Sequence, residues 1–201
     1  MSEEVVLVSG LWMPAALMAP LGARLARAGF RPRRFAYSGR RSLAGATERL
    51  AAFTRGGAPH FVGHSLGGVL IFDMLSRHPG AGAGRIVLIG APVTGCLAGR
   101  RLGAWAVGRW MLGTSAPRWQ PCAARWERPE PLGVIAGTRT LGLGRMLGVL
   151  PGENDGVVQV EETTVQGMAE RVLLRQGHSM LPLSGRVSAL VERFLRAGCF
   201  A

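Results

Sequence analysis

Short runs of consecutive apolar residues alternate along the chain with stretches in which apolar residues recur every three or four positions. Such runs are typical of strands buried on both faces, and the spaced stretches are typical of amphipathic helices. The predicted strands lie at residues 4–10, 35–37, 60–64, 84–92, 131–137 and 170–177. Because helices separate them, the pattern predicts an α/β fold, with about six mostly parallel strands and helices on both faces.

Local signals mark the helices between these strands. The first predicted helix places Leu17, Leu21 and Leu25 on one face. Ser42 and Ser184 are predicted N-caps of two later helices, since a serine hydroxyl accepts a hydrogen bond from the first helical turn. With helices at these positions, functional residues are expected in the turns that follow the carboxyl ends of the strands.

The connection between the fourth and fifth predicted strands, residues 93–130, is unusually long. It contains four tryptophans and several arginines: Trp105, Trp110, Trp119, Trp126, Arg100, Arg101, Arg109 and Arg118. Long excursions of this kind are often lids or binding loops, and tryptophan with arginine suits a contact with lipid. The tryptophans would equally serve to pack an extra helix on the sheet, and the sequence leaves both interpretations open.

Composition limits the classes of protein that the chain can belong to. A length of 201 residues predicts one domain over residues 1–201, with 93–130 as an excursion within it. The net charge is +12, and every basic side chain is arginine. The arginines are scattered and form no recognised nucleic-acid module, so we expect no nucleic-acid partner. The charge is either a solvated surface or a peripheral contact with an anionic membrane.

The cysteines and the amino terminus indicate the compartment. Cys96, Cys122 and Cys199 are odd in number and widely spaced, which predicts free thiols in a reducing environment and leaves a Cys96–Cys122 bridge as the alternative. The chain begins with acidic residues and enters an apolar strand at once, without the basic region of a signal peptide. We therefore expect a cytoplasmic protein.

The stretch "HFVGHSLGG" (residues 60–68) contains a Gly-x-Ser-x-Gly motif where a predicted strand meets a predicted helix. In that context the serine takes strained backbone angles that lift its hydroxyl above the sheet, and its neighbours must be small. Gly63 and Gly67 satisfy the requirement. Ser65 is therefore a candidate nucleophile, and the alternative is an ordinary helix N-cap.

A nucleophilic serine needs a base within reach of its hydroxyl. His60 and His64 belong to the strand and turn before Ser65, and His78 lies about three helical turns beyond it. His178 instead follows the sixth strand, at the sheet edge where open α/β sheets bind ligands. It is the candidate base.

The acid is nearly fixed, because the chain contains two aspartates. Asp73 lies inside the helix after the serine and is expected to pair with Arg77 one turn later or to cap local polar groups. Asp155 lies in a turn after the fifth strand and is the candidate acid, with Glu153 as a fallback. The resulting chain order of Ser, Asp and His is one that triads on this class of α/β fold use.

Two backbone N–H groups are candidate oxyanion donors. One belongs to Leu66, at the start of the helix after the serine, where the helix dipole favours negative charge. The other belongs to Leu11, just past Gly10 and the first strand, with Trp12 as the next choice. A plain strand-to-helix turn would also use Gly10.

The motifs "VSGLW", "VGHSLGG", "LIGAP", "GENDGVV" and "QGHSML" together resemble a small α/β-hydrolase of the lipase/esterase type. They span residues 6–181, and the layout resembles minimal bacterial lipases without a large cap domain. The resemblance implies an α/β-hydrolase fold with a reduced cap and the triad Ser65, Asp155 and His178. Many members carry His-Gly in the oxyanion loop, where this chain has Ser9 and Gly10.

The expected activity is hydrolysis of carboxylic esters through an acyl-enzyme, without metal or organic cofactor. The substrate is expected to be a small ester or an acyl lipid, with Trp12, His64 and Val157 beside it. A thioesterase or acyltransferase would use the same triad, and a non-catalytic binding module would use the same fold. Oligomeric state stays open.

Overall fold

Six parallel strands form one sheet within residues 3–38, 42–140 and 149–201, which are the residues that the computed structural model describes. The strands are β1 (Glu4–Val8), β2 (Arg31–Phe35), β3 (His60–His64), β4 (Ile86–Ile89), β5 (Leu132–Gly137) and β6 (Glu170–Leu174). Their order in the sheet is β2–β1–β3–β4–β5–β6. The predicted α/β fold is confirmed. The predicted domain also includes residues 1–2, 39–41 and 141–148, which lie outside the described residues.

Helices cover both faces of the sheet. They are α1 (Ala19–Arg27), α2 (Leu43–Phe53), α3 (Leu66–Arg77), α4 (Leu97–Gly103), α5 (Ala106–Leu112) and α6 (Gly185–Ala197). Strand β1 contacts the helices on both faces of the sheet, because its successive side chains point to opposite faces. Val6 packs with the core of α2 and α3, whereas Leu7 packs with the core of α1 and α6. A strand buried on both faces reads as one continuous apolar run.

Two predicted serine caps are present. Ser42 Oγ accepts a hydrogen bond from the Gly45 N–H at 3.0 Å, and Ser184 Oγ accepts one from the Val187 N–H at 3.4 Å. Each satisfies one backbone donor that the first helical turn leaves without an intrahelical partner.

Two sequence-based boundaries need correction. Strand β2 ends at Phe35, so Tyr37 lies beyond the strand rather than inside it. The chain enters α1 through a short 3-10 helix, Ala15–Met18, whose tighter winding rotates the buried face. Met18 is therefore buried with Leu21 and Leu25, and Leu17 is left 39% exposed.

The excursion between β4 and β5 folds as α4, α5 and a 3-10 helix, Gly113–Trp119. Trp119 and Trp126 are buried in it, whereas Trp105 and Trp110 are exposed. Asp73 of α3 holds it through a bidentate ion pair with Arg118, with both N–O distances at 3.0 Å. The predicted pairing of Asp73 with Arg77 is therefore wrong.

None of the helices in the described part of the chain combines the length and the apolar character needed to cross a bilayer.

Candidate active site

Ser65 occupies a strained turn between β3 and α3. Its φ of +53° is a left-handed value that L-residues with side chains rarely adopt. Small neighbours make the turn possible: a Cβ at Gly63 would lie 2.5 Å from the Gly68 Cα, and one at Gly67 would lie 2.3 Å from the Val8 carbonyl oxygen. The hydroxyl makes no capping bond to α3, so the helix-cap alternative does not describe Ser65.

The hydroxyl of Ser65 points instead at His178. Ser65 Oγ lies 3.0 Å from His178 Nε2, and His178 Nδ1 lies 2.7 Å from Asp155 Oδ2. A carboxylate only accepts hydrogen bonds, so Nδ1 carries the ring proton and Nε2 is left to accept from the serine. The structure thus brings the three candidate residues from separate loops into one hydrogen-bonded chain.

Asp155 is almost completely buried, at 1% exposure, yet its carboxylate is fully partnered. Its Oδ1 accepts from the N–H groups of Val157 at 3.0 Å and Val158 at 2.7 Å, which leaves Oδ2 for the imidazole. The backbone reinforces the pair, because the His178 N–H donates to the Asp155 carbonyl at 2.9 Å. Glu153, the fallback acid, is exposed, and Asp155 is the acid that contacts the His178 ring.

The loop after β1 reaches the serine, as the oxyanion prediction requires. A Cβ at Gly10 would lie 2.9 Å from the Ser65 Cβ, so the backbone there approaches the serine closely. Leu66 begins α3, where a first-turn N–H has no intrahelical acceptor. Leu11 lines the same cavity as Ser65. Both N–H groups therefore belong to segments that border the hydroxyl.

Two side chains fix the shape of that loop. Ser9 Oγ donates to the Met13 carbonyl at 3.0 Å, and the hydroxyl of Tyr37 donates to the Ser9 carbonyl at 3.1 Å. Burial raises the pKa of Tyr37 above its ordinary value, so this donor keeps its proton. Tyr37 was missed by sequence reasoning, since nothing near position 37 indicates a contact with residue 9.

A cavity of about 480 Å³ opens beside the serine. Most of its lining is apolar, and the lining residues include Leu11, Trp12, Ser65, Leu102, Met111, Leu112, Trp119, Val157 and His178. A cavity of this size and character is typical of small-molecule sites. Trp12 and Val157 lie at this cavity, as expected for residues beside a substrate.

His64 occupies a different place from the one that the sequence suggested. It is fully buried and does not line the cavity, so the predicted direct contact with substrate is not supported. It lies against His178 with ring centroids 4.8 Å apart, and its Nε2 donates to the His178 carbonyl at 3.1 Å. Burial, reinforced by His178, lowers the pKa of His64 well below its ordinary value. The neutral ring therefore supports the loop that carries the candidate base.

Gly90 is a further site residue that the sequence motif "LIGAP" contained without indicating its role. Its φ is +53°, and an added Cβ would lie 3.3 Å from Asp155 Oδ2 and 3.4 Å from His178 Nδ1. Glycine alone gives the pair this space without backbone strain. The end of β4 is thus shaped around the Asp155–His178 hydrogen bond.

One of the three cysteines, Cys96, lines the cavity beside Ser65. All three cysteines are free, with Cys96 buried and Cys122 and Cys199 exposed. Within the three described ranges, no group of three or more His, Cys, Asp or Glu side chains is arranged to hold a metal ion.

No family model matches the sequence, and no curated protein matches it either. Solved structures match over nearly the whole chain. A pyrethroid hydrolase, PytH, is 16% identical with a TM-score of 0.69, covering 98% of both chains. Alpha/beta hydrolase domain-containing protein 10 from mouse is 13% identical with a TM-score of 0.65, covering 98% of this chain and 89% of its own.

Carboxylesterase CesB from Bacillus subtilis is 14% identical with a TM-score of 0.64, covering 98% of this chain and 84% of its own. Identities this low carry the architecture and not the chemistry. The sheet order, the turn at Ser65 and these similarities agree on one conclusion: the chain has the α/β-hydrolase fold.

Proposed function

We propose that this protein is a serine hydrolase that cleaves carboxylic esters through an acyl-enzyme. One observation carries the proposal: the hydrogen-bonded chain from Ser65 through His178 to Asp155 opens on an apolar cavity. Acyl transfer needs a buried aspartate, an oriented imidazole and a serine hydroxyl that is not used to cap a helix. A binding module would have no use for this alignment.

The reaction follows from the positions of the donors and acceptors. Ser65 Oγ attacks the acyl carbon while His178 Nε2 accepts the hydroxyl proton, and the imidazolium then gives that proton to the leaving alcohol. In the second half-reaction, water attacks the acyl-enzyme and passes a proton to His178. His178 then gives this proton to Ser65 Oγ as the acyl–oxygen bond breaks and the acid leaves. Asp155 keeps the imidazole oriented and stabilises its charged form.

The oxyanion is assigned to the backbone N–H groups of Leu11 and Leu66. Each such donor contributes about 3 kcal/mol to transition-state stabilisation in other serine hydrolases. The brace from Tyr37 to the Ser9 carbonyl supports this assignment, because it holds the strand end from which Leu11 follows. Ser9 takes the place where many relatives have histidine, and its own bond to Met13 closes the loop.

The preferred substrate class is an ester with an apolar acyl group. Leu102, Leu112 and Trp119 line the cavity and offer no charged partner to a polar acid. Two of the similar structures are named a pyrethroid hydrolase and a carboxylesterase, which agrees with ester cleavage by this fold. We also propose a cytoplasmic location, in keeping with three free thiols.

A fluorophosphonate probe tests the nucleophile. Wild-type protein should be labelled at Ser65, and labelling should be lost in Ser65→Ala and strongly slowed in His178→Ala. Asp155→Asn should lower kcat about 10⁴-fold if the pair behaves as in other triads. A wild-type protein that is not labelled, or a His178→Ala variant labelled at the wild-type rate, would refute the proposal.

A substrate panel separates ester from thioester chemistry. p-Nitrophenyl esters of increasing acyl length and acyl-CoA thioesters should be compared, with Ser65→Ala as the blank. The apolar cavity predicts the highest kcat/KM on esters of medium acyl length. Higher activity on the thioesters would assign the site to a thioesterase, and transfer to an added alcohol would assign it to an acyltransferase.

A further inference from the structure

Helix α5 exposes a cluster of large apolar side chains beside the cavity. Trp105 is 73% exposed, Val107 69% and Trp110 64%. Val107 and Trp110 are three residues apart and share one face of the helix, and Trp105 is its N-cap residue. We call these three residues the α5 surface. Contiguous exposed apolar side chains mark interaction sites rather than ordinary solvated surface.

The same segment also contributes to the active-site cavity. Leu102 at the end of α4 and Met111 and Leu112 at the end of α5 face the space beside Ser65. Helix α5 therefore carries the exposed α5 surface and also forms part of the cavity wall.

Trp12 connects helix α5 to the predicted oxyanion loop. It lines the cavity, is itself 51% exposed, and its indole N–H donates to the Met111 carbonyl at 3.2 Å. Its φ of +59° is one of two positive values among non-glycine residues in the described ranges, and Ser65 has the other. A contact that moves α5 would therefore also act on the loop that carries Leu11.

The segment that carries the α5 surface is rich in arginine. Residues 95–126 contain five arginines and no acidic residue. Carboxylates from outside this stretch lie near three of the arginines: Asp73 near Arg118, Glu127 near Arg125 and Glu162 near Arg100. Arg109, on α5 itself, donates to the carbonyls of Gly103 and Ala104, and no carboxylate of the described ranges forms an ion pair with it.

Tryptophan at the rim of an apolar face, with arginine around it, fits the boundary between headgroups and acyl chains of an anionic bilayer. A second copy of this chain fits poorly, because the same positive charge would face itself. We propose that the α5 surface docks on an anionic phospholipid bilayer, with the cavity mouth beside the lipid. Docking is independent of the proposed function, and only the use of the bilayer as a source of substrate rests on it.

Vesicle sedimentation of Ser65→Ala tests docking without turnover. This variant should sediment with vesicles of phosphatidylcholine and phosphatidylglycerol, and much less with phosphatidylcholine alone. About 0.5 M NaCl should weaken binding, since salt screens the arginines. Adding Trp105→Ser and Trp110→Ser should lower the partition coefficient at least about tenfold, because two apolar anchors are lost. Adding Leu173→Ser, at an exposed apolar residue of β6, should leave it within about twofold.

A second measurement keeps docking separate from catalysis. In the wild-type background, the two tryptophan substitutions should leave kcat/KM on a soluble p-nitrophenyl ester unchanged and reduce hydrolysis of vesicle-borne ester. Three results would overturn docking: no sedimentation with anionic vesicles, equal sedimentation of the double variant, or self-association through the α5 surface without lipid. Vesicle binding without any ester hydrolysis would instead overturn the proposed function and leave docking in place.

Discussion

Replacing Gly67 with alanine is expected to push apart the two segments that carry the proposed oxyanion donors. The new Cβ would lie 2.3 Å from the Val8 carbonyl oxygen and 2.4 Å from that of Ser9. Both oxygens belong to the backbone at the end of β1, so no side-chain rotation relieves the contact. Carbon and oxygen ordinarily approach to about 3.3 Å, so the segments must separate by about 1 Å.

The same displacement predicts two magnitudes. Overpacking of this kind costs about 1–3 kcal/mol of unfolding free energy. Leu66 adjoins Gly67 on one segment and Leu11 follows Ser9 on the other, so the distance between their N–H groups changes by a similar amount. A shift of about 1 Å near a reacting centre lowers the rate about 100-fold. We therefore expect kcat/KM to fall about 100-fold in protein that is still folded.

Steady-state kinetics on a soluble ester and urea unfolding measure these two effects separately. Gly80→Ala is the matched control, because a Cβ at Gly80 meets nothing within 4 Å. It should keep kcat/KM and unfolding free energy near the wild-type values. If folded Gly67→Ala retained kcat/KM within about threefold of wild type, the close approach of β1 to α3 would have no role in positioning the donors.

The other predictions concern two buried groups and one ion pair. His64 is neutral in the folded state because burial and His178 lower its pKa, whereas the unfolded chain binds the proton near the ordinary value of 6.5. The free energy of unfolding should therefore fall as pH drops below 6.5, by up to about 1.4 kcal/mol per pH unit. Urea unfolding at several pH values measures this dependence, which should be shallower in His64→Gln; an equal dependence on pH would refute the explanation. Burial, with Glu162 nearby, raises the pKa of Cys96 to about 12, so a thiol reagent should modify Cys96 only after denaturation, and rapid reaction in native protein would contradict its burial. Asp73→Asn should lower the free energy of unfolding by about 1–3 kcal/mol, because it leaves a partly buried arginine unpaired. Glu192→Gln, at an exposed ion pair, should lower it by less than about 0.5 kcal/mol. Equal losses would show that the Asp73 pair does not anchor the excursion.

Strands with two buried faces were predictable from sequence, whereas strand β2, at one edge of the sheet, was misplaced. Strands β3 and β5 are buried along their whole length, so their apolar runs coincide with their bounds. Strand β2, with the sequence RPRRF, pairs with β1 alone and exposes Arg31 and Arg34 to solvent. An edge strand needs neither a continuous apolar run nor every backbone donor, which is why Pro32 is tolerated there. The apolar pattern therefore placed the second predicted strand at residues 35–37, where the actual strand β2 ends.

The three triad candidates could be chosen from sequence because the chain offers few alternatives and topology limits them further. The carboxyl ends of parallel strands share one edge of the sheet, so residues after β3, β5 and β6 must be near one another. Contacts between side chains and residues distant in sequence could not be found this way. Tyr37 reaches Ser9, and Arg118 reaches Asp73. Such pairs depend on the three-dimensional course of loops that carry no repeating pattern.

Backbone strain supplies an argument for function that is independent of motif and fold. In the described part of the chain, Trp12 and Ser65 are the non-glycine residues with positive φ, and both border the same cavity. Each strained residue costs about 1–3 kcal/mol and persists only where its surroundings hold it. The Ser65 N–H is held by the Ile89 carbonyl, and the Trp12 indole by that of Met111. Stability alone would favour relaxed turns at both positions, so strain concentrated at the proposed nucleophile and the oxyanion loop is what a working active site predicts.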